Sequence, residues 1–230
     1  MNKKKMLLII KVIFIIILLS ILFFSIYKII VHEDKYTENI TQLDLKGVNK
    51  IMIVAHPDDE LLWGGKHLIE DKYLVVCITC GDDKEREIEF EMVMRAVNCP
   101  YLSLRYPDRN DWKYHKDNIK KDLKEILSYK DFKQIVTHNP DGEYGHDQHK
   151  KTSKYVTELA NKNNLYYFNH YYTAEEIENN GINTIPMDNK SLKEKEKILE
   201  LYETQKDIIN NHKAMIPYEE FISYDIWYKT

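Results

Sequence analysis

The chain opens on a long apolar stretch. Residues 6–31 are hydrophobic apart from Lys11, Ser20, Ser25, Tyr27 and Lys28, and a helix of that length spans about 39 Å. Lys11 and Lys28 bracket the uncharged run 12–27, where their long stems reach the two interfaces of a bilayer. Residues up to 49 are polar and charged. Short apolar runs then appear at 51–55, 73–79, 101–104, 134–137 and 165–168, each read as a strand. Helical spacing fills the gaps. Leu61, Leu62, Leu68 and Ile69 mark one helix, and 84–97 is a charged helix with Ile88, Met92 and Val97 on one side. A third carries Ile119, Leu123, Ile126 and Leu127; a fourth runs from near 146 to about 161; a long charged one covers 191–211. This alternation predicts an α/β domain, a Rossmann-like, mostly parallel sheet with helices on both faces. The predicted organisation is a membrane anchor over 1–31, a linker over 32–49 and one domain over 50–230.

Charge changes the picture at the N-terminus. The apolar run is long for a signal peptide, and no small-x-small cleavage site follows it, so a retained single-pass anchor is expected. Lys3, Lys4, Lys5 and Lys11 precede the span, whereas Glu33 and Asp34 offset Lys28 and Lys35 beyond it. The positive-inside rule then places the domain on the extracytoplasmic side of the cell membrane. With 33 basic and 37 acidic residues and no basic tract downstream, nucleic acid is not an expected partner. Cys77, Cys80 and Cys99 are too few for a disulfide framework and are read as small buried residues.

Two clusters bear chemistry, and both follow predicted strands, where α/β sheets form their sites. The first, His56-Pro57-Asp58-Asp59-Glu60, offers an imidazole and several carboxylates to a divalent metal; a helix cap by Asp58 or Asp59 is the alternative. The second, Gly142 through His149, holds His146 and His149 three apart on one side of a helix start. Alone the pair is weak. Joined to the first cluster, it completes two His and one Asp, the donor set of an open catalytic zinc site, with a carboxylate left over as base.

At these residues the sequence resembles the PIG-L/LmbE-like zinc deacetylases. Ala55-His-Pro-Asp-Asp-Glu60 matches the family's AHPDDE, Arg86-x-x-Glu89 its RxxE helix, and 142–149 its GxYGHxxH loop. Asp108 matches a loop acid, Asn98 stands where a glycine usually ends the RxxE helix, and Lys195, Tyr202 and Gln205 resemble a weaker C-terminal segment. The resemblance implies hydrolysis of the N-acetyl group of an N-acetylglucosamine-type conjugate. It implies that His56, Asp59 and His149 hold Zn2+, though Fe2+ or Co2+ suits the same donors. Asp58 would be the general base, and His146 the oxyanion stabiliser or acid. Arg86 and Asp108 would contact sugar hydroxyls, and Tyr144 would be a mobile residue over the site. The family's usual Asp two residues after the first His is here Gln148, so His146 is expected to lose a favourable acidic neighbour.

His138 reads as a loop-structuring residue near the site, His67 as packing or surface, and His115, His170 and His212 as bystanders. Trp63 reads as core, and Trp112, Tyr114 and Tyr218 as aromatic faces open to a sugar ring. Two other functions fit the same residues: a membrane-tethered glycan-binding protein without turnover, and a metal amidase acting on another acyl-amide. A lipid-linked or cell-surface sugar conjugate is the expected partner, together with the lipid bilayer.

Overall fold

Strands form where the sequence runs apolar without a polar alternation, because both faces of each strand are covered. The computed structural model describes residues 3–33, 37–79, 81, 83–108, 112–179 and 184–229. It divides into two units, Met1–Thr41 and Gln42–Thr230.

The first unit contains α1 (Lys3–Glu33) and most of α2 (Thr37–Gln42). Within α1, the stretch Lys4–Tyr27 contains an 18-residue window with a mean hydropathy of 3.2, none of which is buried. It is long and apolar enough to cross a membrane; a signal sequence has the same properties. The side chain of Lys28 lies outside the described residues. Helix α2 falls in the segment expected to be a linker.

The second unit runs β1 (Lys50–Val54), α3 (Asp59–Glu70), β2 (Tyr73–Cys77), α4 (Lys84–Ala96), β3 (Tyr101–Ser103), α5 (Lys116–Tyr129), β4 (Gln134–Thr137), α6 (Asp147–Leu159) and β5 (Leu165–Phe168). After these come α7 (Ala174–Glu178), α8 (Asn189–Leu199), α9 (Lys206–Asn211), β6 (Phe221–Ser223) and α10 (Tyr224–Lys229). Among the described residues the strands make one sheet, ordered β3-β2-β1-β4-β5-β6. All neighbours are parallel except β5 and β6. Ile51, Met52, Ile53 and Val54 of the central strand are fully buried, each burial contributing roughly 1.5–3 kcal/mol. The strand order reverses between β1 and β4, whose carboxyl ends form the crevice that such sheets use for ligands.

Three details differ from the sequence reading. Helix α4 buries Glu89, Phe90, Val93 and Met94, while Ile88 and Met92 are exposed; the buried face includes a carboxylate, which apolar spacing does not register. The helix expected over 191–211 is broken between α8 and α9. There the Tyr202 hydroxyl donates to Glu60 Oε1 at 2.5 Å, and the Thr204 amide and hydroxyl donate to Glu89 at 2.8 and 2.6 Å. Straightening the helix would leave two buried carboxylates without these donors, a larger loss than one turn of helix. Strand β6 and α10 carry no strong periodicity and were not foreseen. Asn98 adopts φ 55°, as its place after α4 predicts. Cys77 and Cys99 are buried, and Cys80 lies outside the described residues.

Candidate active site

Register brings the two loops together. Ile53 pairs with Thr137, whose hydroxyl donates to the Ile53 carbonyl at 2.9 Å. One step further along, the Ala55 amide donates to His138 Nε2 at 2.9 Å. The turn starting at His56 therefore faces the loop ending at His149.

Asp58 occupies the N-cap position of α3, yet its side chain makes no capping bond. The turn is held instead by its neighbours: Asp59 Oδ2 accepts from the His56 amide at 2.8 Å, and Glu60 Oε2 accepts from the Asp58 amide at 3.1 Å. Asp58 itself is buried at φ 108°, a conformation that side chains rarely adopt. In the second loop Gly142 has φ 71°, and a Cβ there would lie 2.6 Å from the His146 carbonyl oxygen. Only glycine fits this turn.

His56 Nδ1 lies 3.1 Å from His149 Nε2 and 3.2 Å from Asp59 Oδ2, and His149 Nε2 lies 3.2 Å from Asp59 Oδ1. Hydrogen bonds elsewhere on the two rings decide what these atoms present. Gln148 Nε2 donates to the Pro107 carbonyl at 3.2 Å, which orients the amide so that its Oε1 accepts from His56 Nε2 at 2.6 Å. Glu143 Oε2 accepts from His149 Nδ1 at 2.6 Å. With their protons on the far nitrogens, both neutral rings turn lone pairs toward the carboxylate of Asp59. The two ring nitrogens lie 3.1 Å apart, and each has one oxygen of the Asp59 carboxylate 3.2 Å away, Oδ2 for His56 and Oδ1 for His149, spacings within which a zinc ion could reach donors at about 2.0–2.2 Å. The residues fit a cation. With no cation bound, hydrogen bonds and charges from Asp108 and Asp59 overcome burial and raise the pKa of His56 to about 10, so a bound cation would replace a second proton on Nδ1.

His138 is fully buried, stacks on His149 with ring centroids 3.9 Å apart, and donates from Nδ1 to Glu143 Oε2 at 2.9 Å. Against burial, Glu143 and Asp59 would draw a second proton onto this ring, raising its pKa to about 9. The Ala55 amide can only donate, however, and it occupies Nε2, which keeps the ring neutral and engages both nitrogens. His138 thus belongs to the framework of the site, a part its sequence context only half disclosed.

His146 borders the cluster, its ring 4.8 Å from that of His56 and 4.5 Å from that of His149. Its Nδ1 accepts from the Gln148 amide at 3.3 Å, leaving the proton on Nε2. Burial, then the neighbouring His149 and His56, lower its pKa to about 4. The Gln148 side chain serves His56, and the His146 pKa is lowered, the direction expected with Gln148 in place of an acid. Asp58 has a pKa well above the carboxylate range, from burial and then from the charge of Asp59. Arg86 bonds Asp108 and reaches the Pro57 carbonyl at 3.4 Å, and Asp108 Oδ1 lies 3.3 Å from His56 Nε2. Asp108 is held at about 2 by its hydrogen bond to His56, outweighing burial. Tyr144 is 41% exposed and sits against His212, Trp63 and Tyr171, with centroids 4.4, 6.3 and 6.0 Å away.

All eight sequence-derived site residues therefore share one end of the sheet. His138, Glu143, Glu60 and His212 join them: Glu60 belongs to the first cluster and His138 was placed near the site, whereas Glu143 was not singled out and His212 is no bystander, its ring lying 4.4 Å from that of Tyr144. Trp112 is fully buried with its Nε1 donating to Pro107, so it offers no face to a ligand. His170 stacks on Trp227 and His67 on Phe221, at 4.3 and 3.9 Å.

The family model of PIG-L, described as GlcNAc-PI de-N-acetylase, matches residues 51–160, which hold both loops. Uncharacterized protein L374 of Acanthamoeba polyphaga mimivirus is 34% identical over 195 residues, covering 76% of this chain and 80% of that one. N,N'-diacetylchitobiose deacetylase from Pyrococcus horikoshii superposes with a TM-score of 0.56 at 18% identity, over 81% of this chain and 80% of its own. GalB, the 4-carboxy-2-hydroxymuconate hydratase of Pseudomonas putida, reaches 0.51 at 15% identity over 71% and 82%. One fold thus carries different reactions, and the reaction has to be argued from the site.

Proposed function

Because this chain belongs to the PIG-L family, we propose that it is a metal-dependent N-deacetylase. Its substrate would be an N-acetylglucosamine-type conjugate, and its products acetate and a free amine. The observation that carries this reading is the convergence of His56 Nδ1, His149 Nε2 and the Asp59 carboxylate beside a buried, otherwise uncommitted Asp58. Those three residues would hold the cation, with zinc the natural choice for this donor set. When bound, it supplies Lewis acidity, which polarises an acyl carbonyl and brings the pKa of water from about 15.7 toward 7.

The chain's own groups then divide the proton work. Asp58 takes a proton from the attacking water: burial and the charge of Asp59 raise its pKa, a bound cation would offset them so that it starts ionised, and the carboxyl then holds the proton until the nitrogen takes it. As the carbonyl carbon becomes tetrahedral, the Nε2–H of His146 donates to the developing oxyanion, a prepositioned contact of a kind that contributes about 3–4 kcal/mol. Since His146 is neutral at pH 7, the proton for the departing nitrogen comes from Asp58. The C–N bond breaks, the amine leaves, and acetate remains. Arg86 and Asp108 stand at the mouth for sugar hydroxyls, and Tyr144 closes over the acetamide.

The apolar helix supports a bilayer tether, and the lysines before it support an extracytoplasmic domain, which points to a lipid-linked or cell-surface glycan. The test is release of amine and acetate from N-acetylglucosamine conjugates, with and without chelator. Asp58→Asn is expected to keep the metal and lose turnover by at least about a hundredfold. An active Asp58→Asn enzyme refutes the base assignment. A metal-loaded wild-type protein inert on every conjugate makes it a glycan binder.

A further inference from the structure

Glu143 is out of place by backbone standards. It sits at φ 53°, where a residue with a side chain is strained, between two glycines also at positive φ. Its side chain is nearly fully buried, and both carboxylate oxygens are engaged. Oε1 accepts from the Asn139 amide at 2.9 Å, and Oε2 accepts from His149 Nδ1 at 2.6 Å and His138 Nδ1 at 2.9 Å. A glycine would relieve the backbone and form none of these bonds, so the carboxylate is what the position retains.

We propose that Glu143 is a positioning residue that sets the tautomer of His149, with His138 as its counterweight. The chain of hydrogen bonds has a fixed direction. The Ala55 amide donates to His138 Nε2, so His138 carries its proton on Nδ1 and gives it to Glu143 Oε2. The same oxygen takes the Nδ1 proton of His149, and the Nε2 lone pair of His149 is thereby committed to the point it shares with His56 and Asp59. Stacking of the two rings at 3.9 Å keeps both protons in reach of one oxygen. The other candidate ligand ring is braced differently, by the neutral Gln148 side-chain amide at 2.6 Å and the Asp108 carboxylate at 3.3 Å, both on His56 Nε2. Carboxylate partners of metal-ligating histidines raise ligand basicity as well as fixing orientation. Glu143 therefore fixes the orientation of His149, whose far nitrogen meets its carboxylate at 2.6 Å.

This inference rests on the cation-binding reading above. The test measures divalent-cation affinity of the full-length protein in detergent by competition with a chromophoric chelator, using Zn2+ and Co2+. Glu143→Gln keeps the shape, but its one amide oxygen cannot serve the donors on both sides. It loses either the Asn139 amide or the two ring protons, and in either orientation the negative charge behind His149 is gone. The variant is expected to weaken affinity about 10- to 100-fold, and to lower kcat at saturating metal with KM nearly unchanged. Affinity within twofold of wild type overturns the proposal. Wild-type protein that binds no divalent cation overturns the cation-binding reading and this one together. Should Glu143→Gln fail to fold, long-range 1H–15N spectra of the histidine rings in Zn2+-loaded wild type decide. His149 protonated on Nδ1 is the expected result, and His149 protonated on Nε2 overturns the proposal.

Discussion

At Asp58 the backbone and the side chain both carry a burden that chemistry explains and folding does not. Its φ of 108° and ψ of −35° lie where only glycine is at ease, a strain worth about 1–3 kcal/mol. Its carboxyl is buried beside Asp59, which keeps it from ionising readily. A residue selected for stability alone would be glycine. Asp58→Gly is therefore expected to raise the Tm of the chelator-treated protein by about 2–6 °C while abolishing deacetylation. Scanning calorimetry with and without chelator checks this, and a fall in Tm would mean that the carboxylate holds the turn together. The same scale exposes the limit of motif reading. His56, Asp58, Asp59 and His149 were legible because residue type and position after a strand announce them. Glu143 and His138 were not, because their roles depend on which ring nitrogen faces which oxygen.

Among the elements, α3 joins the site to the rest of the sheet. Its start supplies Asp59 and Glu60, and Lys195 of α8 donates to the Leu62 carbonyl at 2.9 Å within it. Lys195 is fully buried, pairs with Glu219 at 2.5 Å, and also donates to the Ile216 carbonyl. A buried ion pair of this kind is strongly destabilising to break, which is why the C-terminal segment with Lys195 and Tyr202 matters to a motif over a hundred residues away. At the other end of α3, His67 packs on Phe221. Burial lowers its pKa to about 4, with Lys66 adding to the effect and Glu70 opposing it. An unfolded histidine titrates near 6.5. Between the two values the unfolded chain binds more protons, so this contribution is complete above about pH 6.5 and is lost as pH falls toward 4. Denaturant titrations at pH 7 and pH 4.5 are expected to differ by about 1–3 kcal/mol less in His67→Phe than in wild type. Equal pH dependence in the two proteins would remove His67 from the account. The helices between the parallel strands were readable from spacing, but the break between α8 and α9 and the buried face of α4 were not, since Glu89 enters the core only because Thr204 meets it there.

For the molecule as a whole, the apolar N-terminal helix bears on where the proposed deacetylase domain meets its substrate. The span Lys4–Tyr27 is uninterrupted by acidic residues and its most apolar 18-residue window is unburied, which in water would be a severe exposure of apolar surface. Protein isolated from membranes is expected to keep its N-terminal residues by intact mass, and a chain lacking residues 1–31 is expected in the soluble fraction with its deacetylase activity intact. A mature N-terminus beyond residue 31 in the membrane-isolated protein would mean that the segment is a cleaved signal.

The sequence by itself determined the alternation of strands and helices, the apolar N-terminal segment, and the two loops that hold the chemistry. These follow from local periodicity and from residue types that few other contexts explain. Only the tertiary structure decided that the loops meet at one point, that Gln148 serves His56, and that a single oxygen of Glu143 orients two histidines. Such facts depend on strand register and on the direction of individual hydrogen bonds. Both are set by contacts between residues far apart in the chain, which no local pattern encodes.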